Sequence, residues 1–560
     1  MNARLLDSLK GIVGARHVLT NASQTRRYAT GYRYGGGPVV AVVRPGSLVE
    51  QWRVLLACVE SDQVVIMQAA NTGLTGGSTP HGSYDRGVVL VNTLRISGIH
   101  PVLGGRQVVC LSGATLNRLE RILVPLGREP HSVIGSSCIG ASVVGGVCNN
   151  SGGALVRRGP AYTEYALFAQ VDASGQVQLR NHLGLRLGTD PETILGRLER
   201  GGFSDADVEQ DERVGSDSGY ERRVRDVDAA TPARFNANPE GLFEASGSAG
   251  RVMVFAVRLD TFPRDETTAT FYVGTNHPSE LTTIRRRILR DFPTLPVSGE
   301  YIHRDAFDLA ERYGKDTFLA IRFLGTDRLP ELFAAKNWLD GLSRRLPLLP
   351  QNLADRLLQG AGALFPSHLP RRMTAFRDRY EHHLILKVAG DAVGQARELF
   401  ANTFPSATGD VFECTAGEAS KAFLHRFAVA IAAVRYCALH AREVEDVIAL
   451  DVALRRNDAD WLEKLPPDVT RSIDKAIYYG HFFCHVFHQD YVVKKGTDVV
   501  ALEHRMWELL DARQAEYPAE HNVGNLYRAK DPLIAHYRNL DPGNRLNPGL
   551  GQSSRLRNWH

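Results

Sequence analysis

The sequence contains few cysteines, and those that it has are not grouped. Its seven cysteines are scattered without any C-x-x-C pair, at Cys58, Cys110, Cys138, Cys148, Cys414, Cys437 and Cys484. Small secreted domains that depend on a disulfide framework carry many cysteines in a short chain. The scattered cysteines therefore favour free thiols in a reducing compartment over a disulfide framework.

Long hydrophobic runs are also missing. A membrane-spanning helix needs about 18 apolar residues, and the nearest approach, residues 427–439, is interrupted by Arg435. The first 20 residues are broken by four charged side chains and show no signal peptide, so we expect a cytoplasmic protein. The net charge of +4 on 560 residues is too small to indicate a nucleic-acid partner.

Glycine, in contrast, is concentrated in two segments. Residues 69–80 read AANTGLTGGSTP, and residues 134–153 read IGSSCIGASVVGGVCNNSGG. Glycine lets the backbone approach a ligand closely, and backbone N–H groups with small polar side chains bind phosphate oxygens. Neither segment is a P-loop or a Rossmann fingerprint, because Gly-Lys-Ser/Thr and a helix-opening G-x-G-x-x-G are both missing. The first segment alone is equally typical of a surface turn, but the pair favours a pyrophosphate-binding floor.

The two segments resemble the FAD-binding domain of the vanillyl-alcohol oxidase type, whose loops read G-x-G-T-G-L-T-G-G and G-G-x-x-x-N-x-G-G. Residues 128–132 (REPHS) and 247–250 (GSAG) further resemble the respiratory, quinone-linked D-lactate dehydrogenase subfamily, over nearly the whole chain. The resemblance implies noncovalent FAD, since the first loop lacks the histidine of covalently flavinylated relatives. The residues expected to contact FAD are Ala69, Ala70, Asn71, Thr72, Gly73, Gly77, Ser78, Gly135, Ser142, Gly152, Gly250 and Val254.

The order of elements predicts an α+β protein of several domains. Residues 1–260 alternate short β-rich runs with turns and with helices such as 48–60. The resemblance makes them a two-subdomain FAD-binding domain, to which residues 510–560 return.

The remaining residues predict a second α+β region. Strands are expected at 269–273 and 383–388, with a helix at 278–291 between them. The resemblance makes this region a cap over the substrate. We divide the cap into residues 261–325 and 380–509, the latter with a helical stretch at 418–442.

Residues 326–379 differ in character from the rest of the chain. They contain twelve leucines, five acidic residues and nine basic ones, which are Arg328, Lys336, Arg344, Arg345, Arg356, Arg371, Arg372, Arg377 and Arg379. Cations beside leucine and aromatic residues are typical of an interfacial helix, in which each cation gains about 1 kcal/mol at an anionic surface. An amphipathic cap helix with a solvated basic face has the same composition. The resemblance favours membrane association, because a quinone-linked enzyme must reach the bilayer.

The densest group of histidines lies at residues 480–490, which read GHFFCHVFHQD. Read as one strand, this motif puts His481 and Phe483 on one face and His488 on the other, unless a bulge intervenes. Periodicity alone therefore predicts no ligand set, and structural hydrogen bonding is an alternative.

The resemblance nevertheless implies a metal site. Related flavin 2-hydroxyacid dehydrogenases carry motifs similar to G-H-x-G-D-G-N-x-H and E-H-G-x-G, in which two histidines and the glutamate bind a divalent ion. In this chain the matching residues are His481, His488 and Glu520, which would hold zinc or manganese. The chain departs from the pattern where residues 483–485 (FCH) replace Gly-Asp-Gly and where Asn522 replaces a glycine.

Oxidation of a 2-hydroxy acid gives each candidate residue a role. FAD can accept the hydride from the α-carbon, and a base that titrates near neutrality, for which we choose His521, takes the hydroxyl proton. A metal ion would lower the hydroxyl pKa. The substrate carboxylate needs a cation. Arg379 and Lys387 are the candidates, although each is also typical of a surface salt bridge.

Three functions remain open at this point. The resemblance favours oxidation of D-lactate with electrons passed to a membrane quinone, by a peripheral protein on the anionic phospholipids of the cytoplasmic face of a bacterial inner membrane. A soluble FAD-dependent dehydrogenase of another D-2-hydroxy acid, such as D-2-hydroxyglutarate, is the alternative. The third is a basic membrane scaffold with vestigial loops.

Overall fold

The computed structural model describes residues 2–132, 137–324, 336, 339 and 352–560. Gly135 and much of residues 326–379 therefore lie outside the described residues. The described strands are β1 Val18–Leu19, β2 Ala41–Val43, β3 Val64–Gln68, β4 Val88–Asn92, β5 Ile99–Val102, β6 Gln107–Leu111, β7 Arg128–Pro130, β8 Ala166–Val171, β9 Val177–His182, β10 Met253–Pro263, β11 Thr268–Thr275, β12 Ser298–His303, β13 His382–Ala389, β14 Gly409–Glu413, β15 Val444–Ala453, β16 Ile473–His481 and β17 Val486–Lys494.

The α-helices flank the three sheets that these strands form. Within the described residues they are Asn2–Val13, Ala22–Ala29, Leu48–Glu60, Leu116–Leu123, Val143–Cys148, Pro191–Glu199, Tyr220–Arg225, Pro278–Asp291, Arg304–Tyr313, Lys315–Leu324, Leu353–Ala363, Arg371–Arg379, Ala392–Ala401, Ala416–Leu439, Pro467–Thr470, Val499–Ala512 and Asp531–Leu540. The helices predicted at 48–60 and 278–291 are confirmed.

The first two sheets share one hydrophobic core. β2, β4 and β3 pair in parallel, and their continuous runs of valine, isoleucine and leucine suit strands covered on both faces. The second sheet is antiparallel, in the order β5-β6-β10-β8-β9, with β7 also paired to β10. Buried side chains of both sheets, such as Val65 and Phe255, pack around the helix Leu48–Glu60. Near the end of the chain, Leu546 forms a bridge with Val65.

The third sheet carries the residues of interest. Its seven antiparallel strands lie in the order β14-β11-β13-β12-β16-β17-β15. One face packs on helices that include Pro278–Asp291 and Val499–Ala512. The other face packs on Arg304–Tyr313 and Ala416–Leu439. The strands predicted at 269–273 and 383–388 lie within β11 and β13, so these two predictions are confirmed.

The helix Ala416–Leu439 corrects the expectation that no stretch is long and apolar enough to cross a membrane. It has 24 residues and a mean hydropathy of 1.4 over its best window, but it lies on the seven-stranded sheet. Its buried Arg435 contacts Asp316 at 2.9 Å and Asp355 at 2.7 Å. A guanidinium paired with two carboxylates is typical of the interior of a folded domain.

Replacing Arg435 with methionine should lower the free energy of unfolding by about 3 kcal/mol, because Asp316 loses its cation while it stays largely buried. Urea denaturation followed by circular dichroism measures this loss. Arg397→Met is the matched control, since Arg397 makes the same kind of two-pronged contact with Glu413 at the exposed surface and should change stability little. Equal effects of the two substitutions would contradict the structural role of Arg435.

Candidate active site

Two of the three histidines in the motif at residues 480–490, His481 and His488, meet across a β-hairpin. β16 ends at His481, residues 482–485 form the turn, and His485 adopts the left-handed conformation with φ 54°. His488 on β17 lies opposite Tyr479, two residues before His481, so both histidines project from the same face. Their ring centroids are 5.3 Å apart. The single-strand interpretation was wrong, because a turn separates the two residues.

Glu520 completes a group of three with these histidines. Its Oε2 lies 3.2 Å from His481 Nε2 and 4.0 Å from His488 Nε2, and one ligand atom of each residue lies within 4.8 Å of the others. Ligands about 2.1 Å from a tetrahedral ion lie about 3.4 Å from one another. The spacing therefore fits one divalent ion after a small adjustment of His488.

Each histidine turns its other ring nitrogen toward a buried carboxylate. His481 Nδ1 lies 2.7 Å from Glu300 Oε1, and Glu300 Oε2 pairs with Arg426 at 2.9 Å. His488 Nδ1 lies 3.5 Å from Asp451 Oδ1, which is longer than a good hydrogen bond. Carboxylates behind imidazoles are typical of metal sites, because they hold the ring with its second nitrogen toward the ion. The donor set fits a divalent metal.

An arginine from the first half of the chain balances the charge of this group. Arg234 donates a hydrogen bond to Glu520 Oε1 at 2.5 Å. Burial raises the pKa of Glu520, but Arg234 and His481 outweigh burial and hold this pKa below its ordinary value. Burial also lowers the pKa of His481, but Glu300 and Glu520 outweigh it and raise this pKa to about 10. Burial dominates at His488 and lowers its pKa to about 4, so this imidazole is neutral.

His521 lies beside the group with one ring nitrogen held in place. Its Nδ1 is 3.1 Å from Asp451 Oδ2, which also accepts the backbone N–H of His521 at 3.0 Å. Burial lowers the pKa of His521, but the Asp451 carboxylate outweighs it and raises this pKa above its ordinary value. The side chain is 36% exposed, and Nε2 has no hydrogen-bond partner within the described part of the chain. His521 is therefore a fixed imidazole with one available nitrogen.

Both glycine-rich segments contact the chain that carries Glu520 and His521. In the first segment, the Thr75 hydroxyl donates to the Asn522 carbonyl at 2.7 Å. In the second segment, a Cβ on Gly152 would overlap the Glu520 carboxylate, so only glycine fits there. The two loops and the histidine group consequently form one site.

The predicted cofactor loops leave space beside their backbones. A Cβ placed on Gly73 would meet nothing within 4 Å, and one on Gly140 would meet only the Ala70 Cβ, at 3.9 Å. Open space therefore lies beside both glycines, and the two loops approach each other at Ala70 and Gly140. Glycines with free space beside them let the backbone approach a ligand closely, as the pyrophosphate of a dinucleotide cofactor requires.

The other residues expected to contact the cofactor are distributed around these loops. Ala69, Ala70, Asn71, Thr72, Gly73, Gly77 and Ser78 all lie in the connection that follows β3. Ser142 caps the helix Val143–Cys148, Gly250 has φ 83° next to Asn547, and Val254 lies in β10. Gly135 lies outside the described residues.

Of the two predicted carboxylate-binding cations, the structure does not bring Arg379 to the group. Arg379 is about half exposed and pairs with Asp410 on the edge strand β14 at 3.3 Å. Three strands separate β14 from β16, a distance of about 19 Å at the usual strand spacing. Arg379 thus forms a surface salt bridge with Asp410, as the alternative interpretation of the sequence expects.

Lys387, in contrast, lies on the face that carries the group. It pairs with Ser298 on β12, and Glu300 follows two residues later on the same face, opposite His481. Lys387 is half-buried, and its ammonium makes no hydrogen bond or ion pair with the described residues. It is therefore a cation available to a ligand.

Sequence reasoning missed four charged residues that hold this group together: Arg234, Glu300, Arg426 and Asp451. Arg426 gave a signal, because it is a charge within an apolar helical stretch. Glu300 and Asp451 also stand among apolar strand residues. Such charges are expected to be paired when they are buried, but the sequence does not identify their partners. Arg234 lies in a loop without periodicity and gave no signal.

The chain is similar over its full length to proteins named quinone-dependent D-lactate dehydrogenase. A family model described as "D-lactate dehydrogenase, membrane binding" matches residues 270–559. The quinone-dependent D-lactate dehydrogenase of Escherichia coli (strain K12) is 56% identical over 559 residues, which are 100% of this chain and 98% of that protein. The protein of the same name from Haemophilus influenzae is 54% identical, with 99% of each chain covered.

Solved structures share the fold at low identity. p-Cresol methylhydroxylase with substrate bound has a TM-score of 0.58 at 12% identity and covers 98% of this chain and 96% of its own. Alkyldihydroxyacetonephosphate synthase has a TM-score of 0.57 at 11% identity, with 98% and 84% covered. The α+β fold class of the vanillyl-alcohol oxidase type is therefore confirmed. Because the family model covers more than half of the chain and the relatives align from end to end, the chain belongs to the family of quinone-dependent D-lactate dehydrogenases.

Proposed function

We propose that this protein oxidises D-lactate to pyruvate with FAD and passes the electrons to a membrane quinone. One observation carries the proposal: His521 adjoins both the first glycine-rich segment and the group of His481, His488 and Glu520. Thr75 of that segment donates to the carbonyl of the next residue, Asn522, and the ring of His521 lies 6.1 Å from that of His488. The names of the full-length relatives favour D-lactate over another D-2-hydroxy acid such as D-2-hydroxyglutarate. A membrane scaffold without catalytic activity would not need the buried group of His481, His488 and Glu520.

The glycine-rich loops would hold FAD noncovalently, with its pyrophosphate near Gly73 and Gly140. When bound, FAD supplies the acceptor for the hydride of the substrate α-carbon. His521 takes the hydroxyl proton at Nε2, since its Nδ1 is held by Asp451.

His481, His488 and Glu520 would hold a divalent metal, zinc or manganese. Such an ion supplies a Lewis acid close to the substrate hydroxyl. The residues themselves also orient the site without it, because Glu520 binds Arg234 and His481 and thereby fixes the position of the adjacent His521.

The function is tested by anaerobic mixing of the purified FAD-containing protein with 2-hydroxy acids. D-lactate should bleach the flavin absorbance near 450 nm quickly, whereas L-lactate and D-2-hydroxyglutarate should bleach it slowly or not at all. His521→Ala should retain its FAD and lose about 10²–10⁴-fold in the rate of bleaching, the usual cost of removing a general base. Faster bleaching by D-2-hydroxyglutarate than by D-lactate would favour the alternative substrate.

We assign the substrate carboxylate to Lys387. An unpaired, half-buried ammonium on the face of the histidine group is a suitable partner for an anion, and burial in a partly dry site strengthens such a contact.

Lys387→Met should therefore raise the KM for D-lactate by about tenfold to a hundredfold, since a charge-assisted hydrogen bond contributes about 1.5–3 kcal/mol. FAD content should not change. Arg379→Met, which removes a cation from the surface ion pair with Asp410, is the control and should leave KM unchanged. Steady-state kinetics with an artificial electron acceptor measure both. A raised KM in the Arg379 variant alone would reverse the assignment.

The same protein must reach its quinone, and we infer that segment 326–379 contacts the membrane. Large apolar side chains are strongly exposed on both sides of the part that is not described: Phe323 is 70% exposed, Leu364 87% and Phe365 53%. We infer a peripheral position on anionic phospholipid at the cytoplasmic face of the bacterial inner membrane, where basic residues of segment 326–379 meet the headgroups.

Several of the basic residues counted in that segment are already paired. Arg372 contacts Glu418, Arg377 contacts Asp308 and Arg379 contacts Asp410. These three cations contribute less to headgroup attraction than the charge count predicts, so the exposed apolar side chains carry more of the binding.

The double substitution Leu364→Glu and Phe365→Glu should weaken binding to vesicles that contain phosphatidylglycerol by at least about tenfold, because burial of each large apolar side chain contributes about 1.5–3 kcal/mol. Vesicle cosedimentation measures the binding, and reduction of a soluble dye should persist. Val500→Glu removes a comparably exposed apolar side chain from a helix elsewhere and should bind as the wild type does. Unchanged binding of the double variant would exclude these residues from the membrane contact.

A further inference from the structure

Asp451 lies where the proposed metal ligands and the proposed base meet. It is a buried residue of β15. Its Oδ2 accepts hydrogen bonds from the backbone N–H groups of Glu520, at 2.6 Å, and His521, at 3.0 Å. The same oxygen lies 3.1 Å from His521 Nδ1. The other oxygen, Oδ1, faces His488 Nδ1 at 3.5 Å.

The contact with His488 follows from the register of the sheet. Asp451 and His488 are directly opposed on β15 and β17, and opposed residues on neighbouring strands have their side chains on the same face. His521 comes from a separate segment, which is tied to β15 because the backbone N–H of Ala519 donates to the Asp451 carbonyl at 2.9 Å. One carboxylate thus faces two imidazoles that lie far apart in the chain.

A carboxylate oxygen accepts hydrogen bonds and donates none. An imidazole nitrogen that faces it is favoured as the nitrogen that carries the proton, through a hydrogen bond at 3.1 Å in His521 and through charge at 3.5 Å in His488, and in a neutral ring the other nitrogen keeps its lone pair. At His521 this leaves Nε2 able to accept a proton. At His488 it leaves Nε2 able to bind a metal beside Glu520, 4.0 Å away.

We propose that Asp451 is a positioning residue that selects Nε2 of His521 as the proton acceptor and keeps Nε2 of His488 available to the metal. This proposal rests on the proposed function. In the reaction, the O–H bond of the substrate breaks and its proton goes to His521 Nε2; FAD, when bound, would supply the acceptor for the hydride that leaves the α-carbon. Asp451 takes up no proton and releases none; it determines which ring nitrogen of His521 can accept the proton.

The Asp451 carboxylate has two roles, which are to accept two backbone N–H groups and to face two imidazoles. Capping the backbone N–H groups of Glu520 and His521 requires one acceptor oxygen, which an asparagine also offers. Facing both imidazoles requires acceptors on both sides, which an asparagine cannot offer, because its amide nitrogen only donates.

Asp451→Asn should therefore fold and bind FAD. Its amide oxygen must take the place of Oδ2, which accepts the backbone N–H groups of Glu520 and His521, so its amide N–H faces His488 Nδ1 and favours the His488 tautomer whose Nε2 carries the proton. The rate of flavin reduction by D-lactate, measured by anaerobic stopped flow, should fall by about 10²–10⁴-fold, as for other enzymes in which an imidazole is held in the wrong tautomer. kcat should fall more than KM rises. Reoxidation of dithionite-reduced flavin by a soluble quinone analogue should stay at the wild-type rate.

Asp446→Asn is the matched control, because Asp446 is an exposed aspartate on the same strand and should leave both half-reactions unchanged. Flavin reduction at the wild-type rate in Asp451→Asn would overturn the proposal. Loss of FAD, or an equal loss of both half-reactions, would also overturn it, in favour of a purely structural role. If D-lactate fails to bleach the wild-type flavin, the proposed function itself fails, and this outcome is distinguishable because it needs no variant.

Discussion

The site depends on the compensation of three buried carboxylates, those of Glu300, Asp451 and Glu520. An unpaired carboxylate inside a protein costs several kcal/mol, and it is tolerated only when cations and N–H donors surround it. Each of the three contacts cations or N–H donors from other elements: Glu300 contacts Arg426, Glu520 contacts Arg234, and Asp451 accepts the backbone N–H of Glu520. His481 contacts both Glu300 and Glu520 and is also a proposed metal ligand, so the pairing of these buried charges also fixes the position of a ligand.

This compensation joins parts of the chain that are far apart in sequence. Arg234 belongs to the region that follows the glycine-rich loops, whereas its partner Glu520 lies almost 290 residues later. Gly152 passes so close to Glu520 that no side chain fits between them. The cofactor loops and the ligand segment are therefore held in one position, and a loop that shifted would break a buried ion pair.

The sequence predicted most of the local structure and part of the site. Glycine loops, the helix at 278–291 and the strands near 270 and 385 follow from local composition and period, which the structure preserves. The meeting of His481 with His488 does not follow, because residues 482–485 form a turn that the pattern of apolar residues conceals. Arg234, Glu300 and Asp451 were missed for another reason: a buried charge is recognised by its partner, and these partners lie on other strands or loops.

The helix Ala416–Leu439 has the composition of a membrane span although it carries two buried ion pairs. Arg426 and Arg435 are nine residues apart, which is two and a half turns, so they project from opposite sides of the helix at positions about 13 Å apart along its axis. Arg426 reaches Glu300 in the site, and Arg435 reaches Asp316 and Asp355 on the helices next to the undescribed segment. A helix that is covered on two sides must be apolar on two sides, which gives it the composition of a membrane span. Its apolarity therefore reflects burial on two sides, between the group around Glu300 and the helices that carry Asp316 and Asp355.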